Sequence, residues 1–146
     1  MVSALSPVDI LLVEDDAGDV WFTRDTFEFY KVGNALHVVS DGESAMRFLR
    51  RQPPYEDAPR PGVILLDLEL PRMDGRAVLA QLKADEQLRD IPVVVLTNSP
   101  DEADIVRSIT LGASTYATKP VDFDRLIEIV RELDDFYLTV IRTHAT

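Results

Sequence analysis

Short apolar runs alternate with helical patterns along almost the whole chain, and this alternation restricts the fold more than any other feature. The clearest run is residues 63–66, four apolar residues of the types found in strands that are buried on both faces of a parallel sheet. The stretches between the runs have the lengths and capping residues of helices. Five strands alternating with five helices predict a parallel sheet that helices cover on both sides.

The bounds and order of these elements follow from the same patterns. The predicted strands span residues 8–13, 36–39, 63–67, 92–96 and 115–118. The predicted helices span residues 17–30, capped by Asp15 or Asp16, then from a cap at Asp41 to about residue 51, then 75–88 and 100–112, and a last long helix starts from a cap at Asp122. The strongly apolar first, third and fourth strands belong in the middle, and the short second and polar fifth strands belong at the edges. The predicted fold class is α/β, a doubly wound sheet in the order 2-1-3-4-5.

Composition limits the class of protein. A chain of 146 residues, 46% of them apolar and 28% charged, is large enough for one domain with a real core but hardly for two. Every apolar run is far shorter than a membrane span, and the N-terminus lacks the basic region of a signal peptide. The absence of cysteine excludes disulfides and thiolate metal sites and fits the cytoplasm. The net charge of -11 argues against a nucleic-acid surface.

Polar side chains follow four of the predicted strands, although each strand is apolar up to that point. The first, third, fourth and fifth strands lead to Glu14, Asp15 and Asp16, to Asp67, to Thr97, and to Lys119. In an open parallel sheet, ligands bind outside the carboxyl ends of the strands, where the strand order reverses. A single polar strand end could be a helix cap, which is how we interpret Asp16. Four polar ends at one edge predict a functional site.

The residue types indicate the chemistry of this site. Neighbouring carboxylates repel one another and either bind protons or need a cation. Oxygen ligands suit Mg²⁺, and a lysine adds a positive charge for a phosphate group. A carboxylate, a divalent cation, an ammonium and a threonine hydroxyl together are suited to phosphoryl transfer onto an aspartate. No Gly-rich phosphate-binding loop of the Walker type is present, so we do not expect the chain to take phosphate from ATP.

With these residues at its strand ends, the sequence resembles the receiver domains of two-component response regulators. The residues that carry the resemblance are the acidic pair in "LLVEDD", the aspartate in "ILLDLELPRMDG", the threonine in "VVVLTNS" and the lysine in "TYATKPVD". The resemblance covers about residues 9–142 and implies a flavodoxin-like receiver fold. Because only a handful of residues follow the last predicted helix, we expect a single receiver domain over residues 1–146 without an output domain. Such a domain would signal by protein contact, or serve as a relay or phosphate sink, and would not be a free-standing enzyme.

The resemblance assigns a role to each matching residue. Asp67 would be the phosphoacceptor, and Thr97 and Lys119 would contact the phosphoryl group. Mg²⁺, which Mn²⁺ or Ca²⁺ could replace in a crystal, would be bound by four groups: the side chains of Glu14, Asp15 and Asp67 and the backbone carbonyl of Glu69. Tyr116 would be an aromatic switch that responds to Thr97, although a half-buried tyrosine on an edge strand is also an ordinary structural feature.

Several segments point to a group within the family. The stretch 51–62 holds four of the nine prolines and is predicted to be a long surface loop. This loop, together with "LRDIPVVVLTNSPDEADI", "KPVDFD" and "DDFYLTVI", resembles the small regulators paired with bacterial and cyanobacterial phytochrome kinases. The implied partner is a sensor histidine kinase of the phytochrome type. Glu69 departs from many relatives of this family, which carry a neutral amide or another residue at this position.

The last helix predicts a second partner, another copy of the chain. Apolar residues recur at alternating intervals of four and three, the spacing of a helix–helix seam, at Leu126, Val130, Leu133, Tyr137 and Val140. Further apolar residues flank this stripe, and one helix cannot bury all of them against its own sheet. We therefore expect a homodimer through this helix. The alternative is that the end of the chain folds back over its own core.

Two other functions fit some of the same residues. A Mg²⁺-dependent phosphohydrolase working through an aspartyl phosphate needs a second acid shortly after the nucleophile, and Glu69 has a suitable offset from Asp67. No cap domain or substrate pocket for such an enzyme is evident. A pure interaction module that is no longer phosphorylated is the other alternative, and the complete set of site residues argues against it.

Overall fold

The computed structural model describes residues 9–29, 34–98, 112–119 and 125. Its elements in chain order are β1 (Ile10–Val13), α1 (Ala17–Phe29), β2 (Leu36–Val39), α2 (Gly42–Leu49), β3 (Val63–Asp67), α3 (Gly75–Ala84), β4 (Val93–Thr97) and β5 (Thr115–Thr118). The helices predicted over 100–112 and after residue 122 fall outside these ranges, apart from the single residues Gly112 and Arg125. Among the described helices, none is long and apolar enough to cross a membrane.

The five strands form one parallel sheet in the order β2-β1-β3-β4-β5. This confirms the predicted order and the predicted edge positions of the short second strand and the polar fifth strand. The strand order reverses at β1, because β2 lies on one side of it and β3, β4 and β5 lie on the other. β1 and β3 pair from Ile10 opposite Val63 to Val13 opposite Leu66. The carboxyl ends of β1 and β3 therefore lie side by side.

The sheet separates two apolar layers. On one side, alternate residues of β1, β3 and β4 pack with α2 and α3, and this layer includes Leu11, Ile64 and Val95. On the other side, the intervening residues pack with Phe27, which is the buried residue of α1. All residues of β1 and β3 are buried, which explains why these strands are continuously apolar rather than alternating.

Aspartate side chains cap the described helices. Asp16 accepts a hydrogen bond from the backbone N–H of Asp19 at 2.9 Å, and Asp41 accepts one from Ser44 N–H at 2.7 Å. Both acids satisfy an N–H group that has no partner inside the helix. The structure thus confirms Asp16 and Asp41 as caps, and it assigns Asp16, rather than Asp15, to α1. Asp74 caps α3 in the same way, by accepting from Arg76 N–H.

Several predicted boundaries were wrong by a few residues. The third helix ends at Ala84 rather than residue 88, because Asp85 adopts an extended conformation and its side chain accepts from Gln87 N–H, which starts a turn. Leu88 is buried in that turn without being helical. The second helix ends at Leu49, since Arg51 has a φ of 54°. The first strand begins at residue 10 and not 8, and the fourth strand spans 93–97.

The proline-rich stretch 51–62 contains no helix or strand, as predicted, and connects α2 to β3. Tyr55 and Ala58 pack against the apolar layer beside α2 and α3. The Tyr55 ring lies tilted against the ring of Phe48, with 5.5 Å between the ring centroids. The loop ends where Gly62 N–H donates to the carbonyl of Asp9 at 2.7 Å. These contacts attach a long connection to the body of the domain without regular structure.

Candidate functional site

Three carboxylates meet where β1 and β3 end. Glu14 and Asp15 follow β1 directly, and Asp67 is the last residue of β3. Each offers one oxygen, and these three oxygens all lie within 4.8 Å of one another. Glu14 and Asp67 are buried, with 2% and 3% of their surfaces exposed, whereas Asp15 is exposed. The predicted convergence of acids at this edge of the sheet is therefore present in the structure.

The ammonium of Lys119 contacts this group of acids. Lys119 follows β5, and its backbone N–H donates to the carbonyl of Thr97 at 2.7 Å, which fixes the residue beside the end of β4. Its Nζ donates to Glu14 Oε1 at 2.6 Å and to Asp67 Oδ2 at 3.0 Å. Only 6% of the lysine side chain is exposed, so solvent screens these ion pairs weakly.

A third acid, Asp19, also contacts Lys119, and the sequence analysis missed it. Asp19 lies in the first turn of α1, and its Oδ2 accepts a hydrogen bond from Lys119 Nζ at 3.0 Å. An acid in the first turn of a helix is favoured by the helix dipole alone, which hides a second role. The available signal was its position: the first turn of α1 begins at the strand end where Glu14 and Asp15 lie.

The buried charges shift one another's pKa values. The pKa of Glu14 is raised from 4.5 to about 7, chiefly because burial disfavours its charged form and further because Asp67 is adjacent, while the hydrogen bond from Lys119 opposes the shift. Burial would lower the pKa of Lys119, but its hydrogen bonds to Glu14, Asp19 and Asp67 outweigh burial and raise it. One ammonium thus faces more negative charge than it can neutralise.

The loop after β3 holds the other oxygen of Asp67. The backbone N–H of Glu69 donates to Asp67 Oδ1 at 3.0 Å, while the Glu69 side chain is exposed. Gly75 allows the start of α3 to pack directly against this loop, because a side-chain carbon there would overlap the carbonyl oxygen of Asp67. The structure therefore places Glu69 next to Asp67, and the predicted role of its carbonyl as a metal ligand stays a prediction.

A third buried acid at the same edge belongs to a different environment. Asp41 follows β2 and is 4% exposed. It accepts from the backbone N–H and the hydroxyl of Ser44, at 2.7 and 3.2 Å, and from Arg72 Nη1 at 3.0 Å. Burial would raise the pKa of Asp41, but Ser44 and Arg72 together lower it. Asp41 is thus fully partnered, and it links the start of α2 to the loop that follows Asp67.

Thr97 and Tyr116 lie on the two strands beside this cluster. Thr97 ends β4, is half-buried and pairs with Thr118 across the sheet. Tyr116 is half-buried on β5 opposite Val95 and packs at the edge of the layer beside α2 and α3. Its carbonyl accepts from Arg125 Nη2 at 2.8 Å. These positions agree with the predicted locations of both residues, and their predicted switching stays a prediction.

The donor set of the site suits a hard divalent cation. Glu14, Asp15 and Asp67 offer only oxygen atoms, which Mg²⁺, Mn²⁺ and Ca²⁺ prefer over nitrogen or sulfur. The raised pKa of Glu14 indicates a carboxylate whose charged form needs additional positive charge. A cation bound here would supply that charge, so the residues fit the metal that the sequence predicted.

Comparison with known proteins agrees with this geometry. Residues 10–131 match the response regulator receiver domain family. The chain belongs to this family. The matched residues include all five strands and the site residues Glu14, Asp15, Asp67, Thr97 and Lys119. The fold and the family predicted from the sequence are therefore confirmed.

The receiver domain is similar to phytochrome response regulators. Response regulator Rcp1 of Synechocystis sp. is 41% identical over 135 residues, which cover 92% of this chain and 92% of Rcp1. A structure described as the Mn²⁺-bound form of response regulator Rcp1 shares 40% identity at a TM-score of 0.75, over 95% of this chain and 100% of that chain. The structure of the bacteriophytochrome response regulator RtBRR shares 40% identity at a TM-score of 0.82, covering 94% of this chain and 84% of that chain. The structure of the phosphorylated cyanobacterial phytochrome response regulator RcpA shares 39% identity at a TM-score of 0.76, covering 91% of this chain and 99% of that chain.

Proposed function

We propose that this receiver domain accepts a phosphoryl group on Asp67 from a sensor histidine kinase and signals by conformational change and protein contact. The observation that carries the proposal is the surroundings of Asp67. Its buried carboxylate has two further acids close by and accepts a hydrogen bond from the Lys119 ammonium at 3.0 Å. A carboxylate nucleophile, ligands for a cation and a fixed positive charge are what phosphoryl transfer to an aspartate requires.

Phosphoryl transfer exchanges one bond to phosphorus for another. A carboxylate oxygen of Asp67 forms a bond to phosphorus while the bond from phosphorus to the imidazole nitrogen of the donor histidine breaks. The electron pair of the broken bond stays on that nitrogen, and a proton on the other ring nitrogen lets the imidazole leave as a neutral group. Lys119, already in contact with Asp67, would stabilise the negative charge on the phosphoryl oxygens, and Thr97, at the end of β4, would also contact the phosphoryl group.

Mg²⁺ is the cation that we propose for this site. The side chains of Glu14, Asp15 and Asp67, with the backbone carbonyl of Glu69, would hold it. When bound, the cation neutralises charge on the phosphoryl oxygens, and it prefers to combine one or two carboxylates with phosphate oxygens and waters. The Mn²⁺-bound form of Rcp1 supports a divalent cation in a protein 40% identical to this one.

The partner that we propose is a histidine kinase of the phytochrome type, met in the cytoplasm. The support is the similarity to Rcp1, RtBRR and RcpA, the last two of which are described as phytochrome response regulators. Membership of the receiver family favours a signalling role over the phosphohydrolase alternative. The only turnover that we propose is formation and hydrolysis of the domain's own acyl phosphate.

The test is incubation with acetyl phosphate and Mg²⁺, followed by intact mass measurement. We expect the wild type to gain one phosphoryl group and Asp67→Asn to gain none, because the amide cannot act as the nucleophile. Asp57→Asn is the matched control, since Asp57 is an exposed acid of the proline-rich loop far from the strand ends. Labelling of Asp67→Asn at the wild-type level would contradict the proposal.

A conformational switch through Thr97 and Tyr116 is part of the proposed function. We propose that the phosphoryl group draws Thr97 inward and that Tyr116 turns into the space released, which changes the surface around β5. The support is the position of Thr97 and Tyr116 on the neighbouring strands β4 and β5, where both residues are half-buried. Hydrogen exchange with and without beryllofluoride should change in residues 112–119, and an unchanged pattern there would contradict the switch.

A homodimer through the C-terminal helix is the second assembly that we propose. The support is the sequence spacing of Leu126, Val130 and Leu133, continued by Tyr137 and Val140, because these residues lie outside the described ranges. We expect sedimentation at tens of micromolar to give a dimer, and a Phe136→Asp, Ile141→Asp double variant to give a monomer. A wild type that is monomeric with and without phosphorylation would contradict this proposal.

A further inference from the structure

Lys119 donates to three carboxylates, and one of them differs from the other two. An ammonium has three N–H donors, and each donor of Lys119 has one acid as its partner: Glu14, Asp19 and Asp67. Glu14 and Asp67 belong to the group of oxygens that could hold a metal, and Asp19 does not. The Asp19 side chain is 36% exposed, whereas those of Glu14 and Asp67 are 2% and 5% exposed.

The backbone of Asp19 is fixed by contacts of its own. Its N–H donates to the capping carboxylate of Asp16 at 2.9 Å, and its carbonyl accepts from the Thr23 hydroxyl at 3.0 Å. The residue is therefore held in the first turn of α1, and its short side chain reaches Lys119 from a rigid base. An acid placed in this way can orient the ammonium rather than follow it.

The three contacts of Lys119 would respond differently to a bound cation and to a phosphoryl group on Asp67. A cation shared by Glu14 and Asp67 would compete with the ammonium for the same oxygens, and a phosphoryl group would consume an oxygen of Asp67. The contact with Asp19 is the one that neither event removes. The charge of Asp19 also matters. Its carboxylate lies outside the metal-binding group and 3.0 Å from Lys119 Nζ, so it offsets a positive charge that would otherwise repel a cation bound by the other acids.

We propose that Asp19 is a positioning residue that holds the Lys119 ammonium toward the phosphoryl group and away from the metal-binding oxygens. This inference rests on the proposed function of Asp67. Asp19 acts through Lys119 and does not itself contact the phosphoryl group or the cation. Its removal should therefore slow phosphoryl transfer and weaken cation binding while the nucleophile and the metal-binding oxygens remain in place.

The test compares Asp19→Ala and Asp19→Asn with the control Asp25→Ala, which removes an exposed acid from the same helix. Mg²⁺ affinity is measured from the fluorescence of Trp21, the one tryptophan of the chain, which lies two residues after Asp19 and is 65% exposed. The phosphorylation rate is measured by intact mass with acetyl phosphate at saturating Mg²⁺, so that weaker cation binding does not limit it.

For Asp19→Ala we expect the phosphorylation rate to fall about tenfold and the Kd for Mg²⁺ to rise about threefold or more, the scale of one charge-assisted, partly exposed contact. Asp19→Asn keeps an acceptor oxygen without the charge. Its phosphorylation rate should lie between those of the wild type and Asp19→Ala, while its Mg²⁺ affinity should match that of Asp19→Ala. Asp25→Ala should behave as the wild type in both measurements.

Values for Asp19→Ala equal to those of Asp25→Ala would overturn the proposal. Equal rates for Asp19→Asn and Asp19→Ala would also overturn it, because the effect would then come from charge alone and not from orientation. A wild type that binds Mg²⁺ but is never labelled would contradict the proposed function of Asp67, and the Mg²⁺ affinities would then decide separately whether Asp19 supports the site.

Discussion

Two buried acidic environments lie at the same edge of the sheet, and they differ in how completely their charges are partnered. Asp41, after β2, accepts from Ser44 and Arg72, and its pKa is lowered. Glu14, after β1, shares one ammonium with Asp67, and its pKa is raised to about 7. Both acids are almost fully buried, with 4% and 2% of their surfaces exposed, so burial alone does not separate them.

The difference shows what distinguishes a structural acid from a functional one at a strand end. Asp41 has donors enough to stabilise its charge, and its contacts hold a helix start and a loop in place. The pair of Glu14 and Asp67 keeps excess negative charge that only a proton or a cation can neutralise. Excess charge of this kind lowers stability, and it is useful only where a ligand of opposite charge binds.

The largest expected effect that tests this comparison is on the reaction rate. Lys119→Met should lower the rate of phosphorylation by acetyl phosphate at least about a hundredfold, because it removes the fixed positive charge beside Asp67. The measurement is a mass time course at saturating Mg²⁺. Lys83→Met is the matched control, since Lys83 donates to the carbonyl of Arg89 on another part of the surface. Similar rates for both variants would remove Lys119 from the mechanism.

The next expected effect is on the pH dependence of stability without metal. The folded-state pKa of Glu14, about 7, is above its unfolded value of 4.5. The stability that its protonated form contributes is therefore fully present below the unfolded pKa and is lost as the pH rises through about 7. In EDTA, the free energy of unfolding of the wild type should fall relative to Glu14→Gln by on the order of 2 kcal/mol from about pH 5 to about pH 8.

The same titration separates the two acidic environments. The pKa of Asp41 is lowered from 3.8, so its contribution is present above that value and is lost only in acid. Replacing Asp41 by Asn should therefore leave the slope between about pH 5 and about pH 8 unchanged. Parallel curves for the wild type and Glu14→Gln, measured by urea denaturation, would contradict the charge excess at the site.

The smallest expected effect concerns the structural acid. Asp41→Ala should lower the free energy of unfolding by about 1 kcal/mol, because Ser44 N–H at the start of α2 loses its capping partner. Asp41→Asn keeps an acceptor and should lose less. Neither variant should change the phosphorylation rate more than about twofold, given that the contacts of Asp41 are structural. A large loss of phosphorylation in Asp41→Asn would place Asp41 in the functional group.

The fold could be predicted because its signals are local and strong. The continuous apolar runs of β1 and β3 specify strands buried on both faces, and the polar fifth strand specifies an edge. The end of α3 could not be predicted in the same way. No glycine or proline marks the end of the helix, and only the extended backbone at Asp85 shows that Leu88 belongs to a turn.

The site was predicted as far as strand ends specify it. Glu14, Asp67 and Lys119 each lie at the carboxyl end of a strand, and the parallel order of the sheet brings them together. Asp19 lies inside a helix, where its position is also explained by the helix dipole, so its contact with Lys119, 100 residues away along the chain, needed the three-dimensional structure. The separate environment of Asp41 was hidden for a similar reason, since Arg72 is 31 residues away.

The most direct test of the account is to locate the phosphoryl group within the protein. The wild type is treated with acetyl phosphate and Mg²⁺, the acyl phosphate is reduced with borohydride, and the modified residue is identified by peptide mapping. We predict modification at Asp67 alone and an unmodified Asp41, although both acids are buried at the same edge of the sheet. Modification at Asp41, Glu14 or Asp15, or an unmodified Asp67 in labelled protein, would contradict the account.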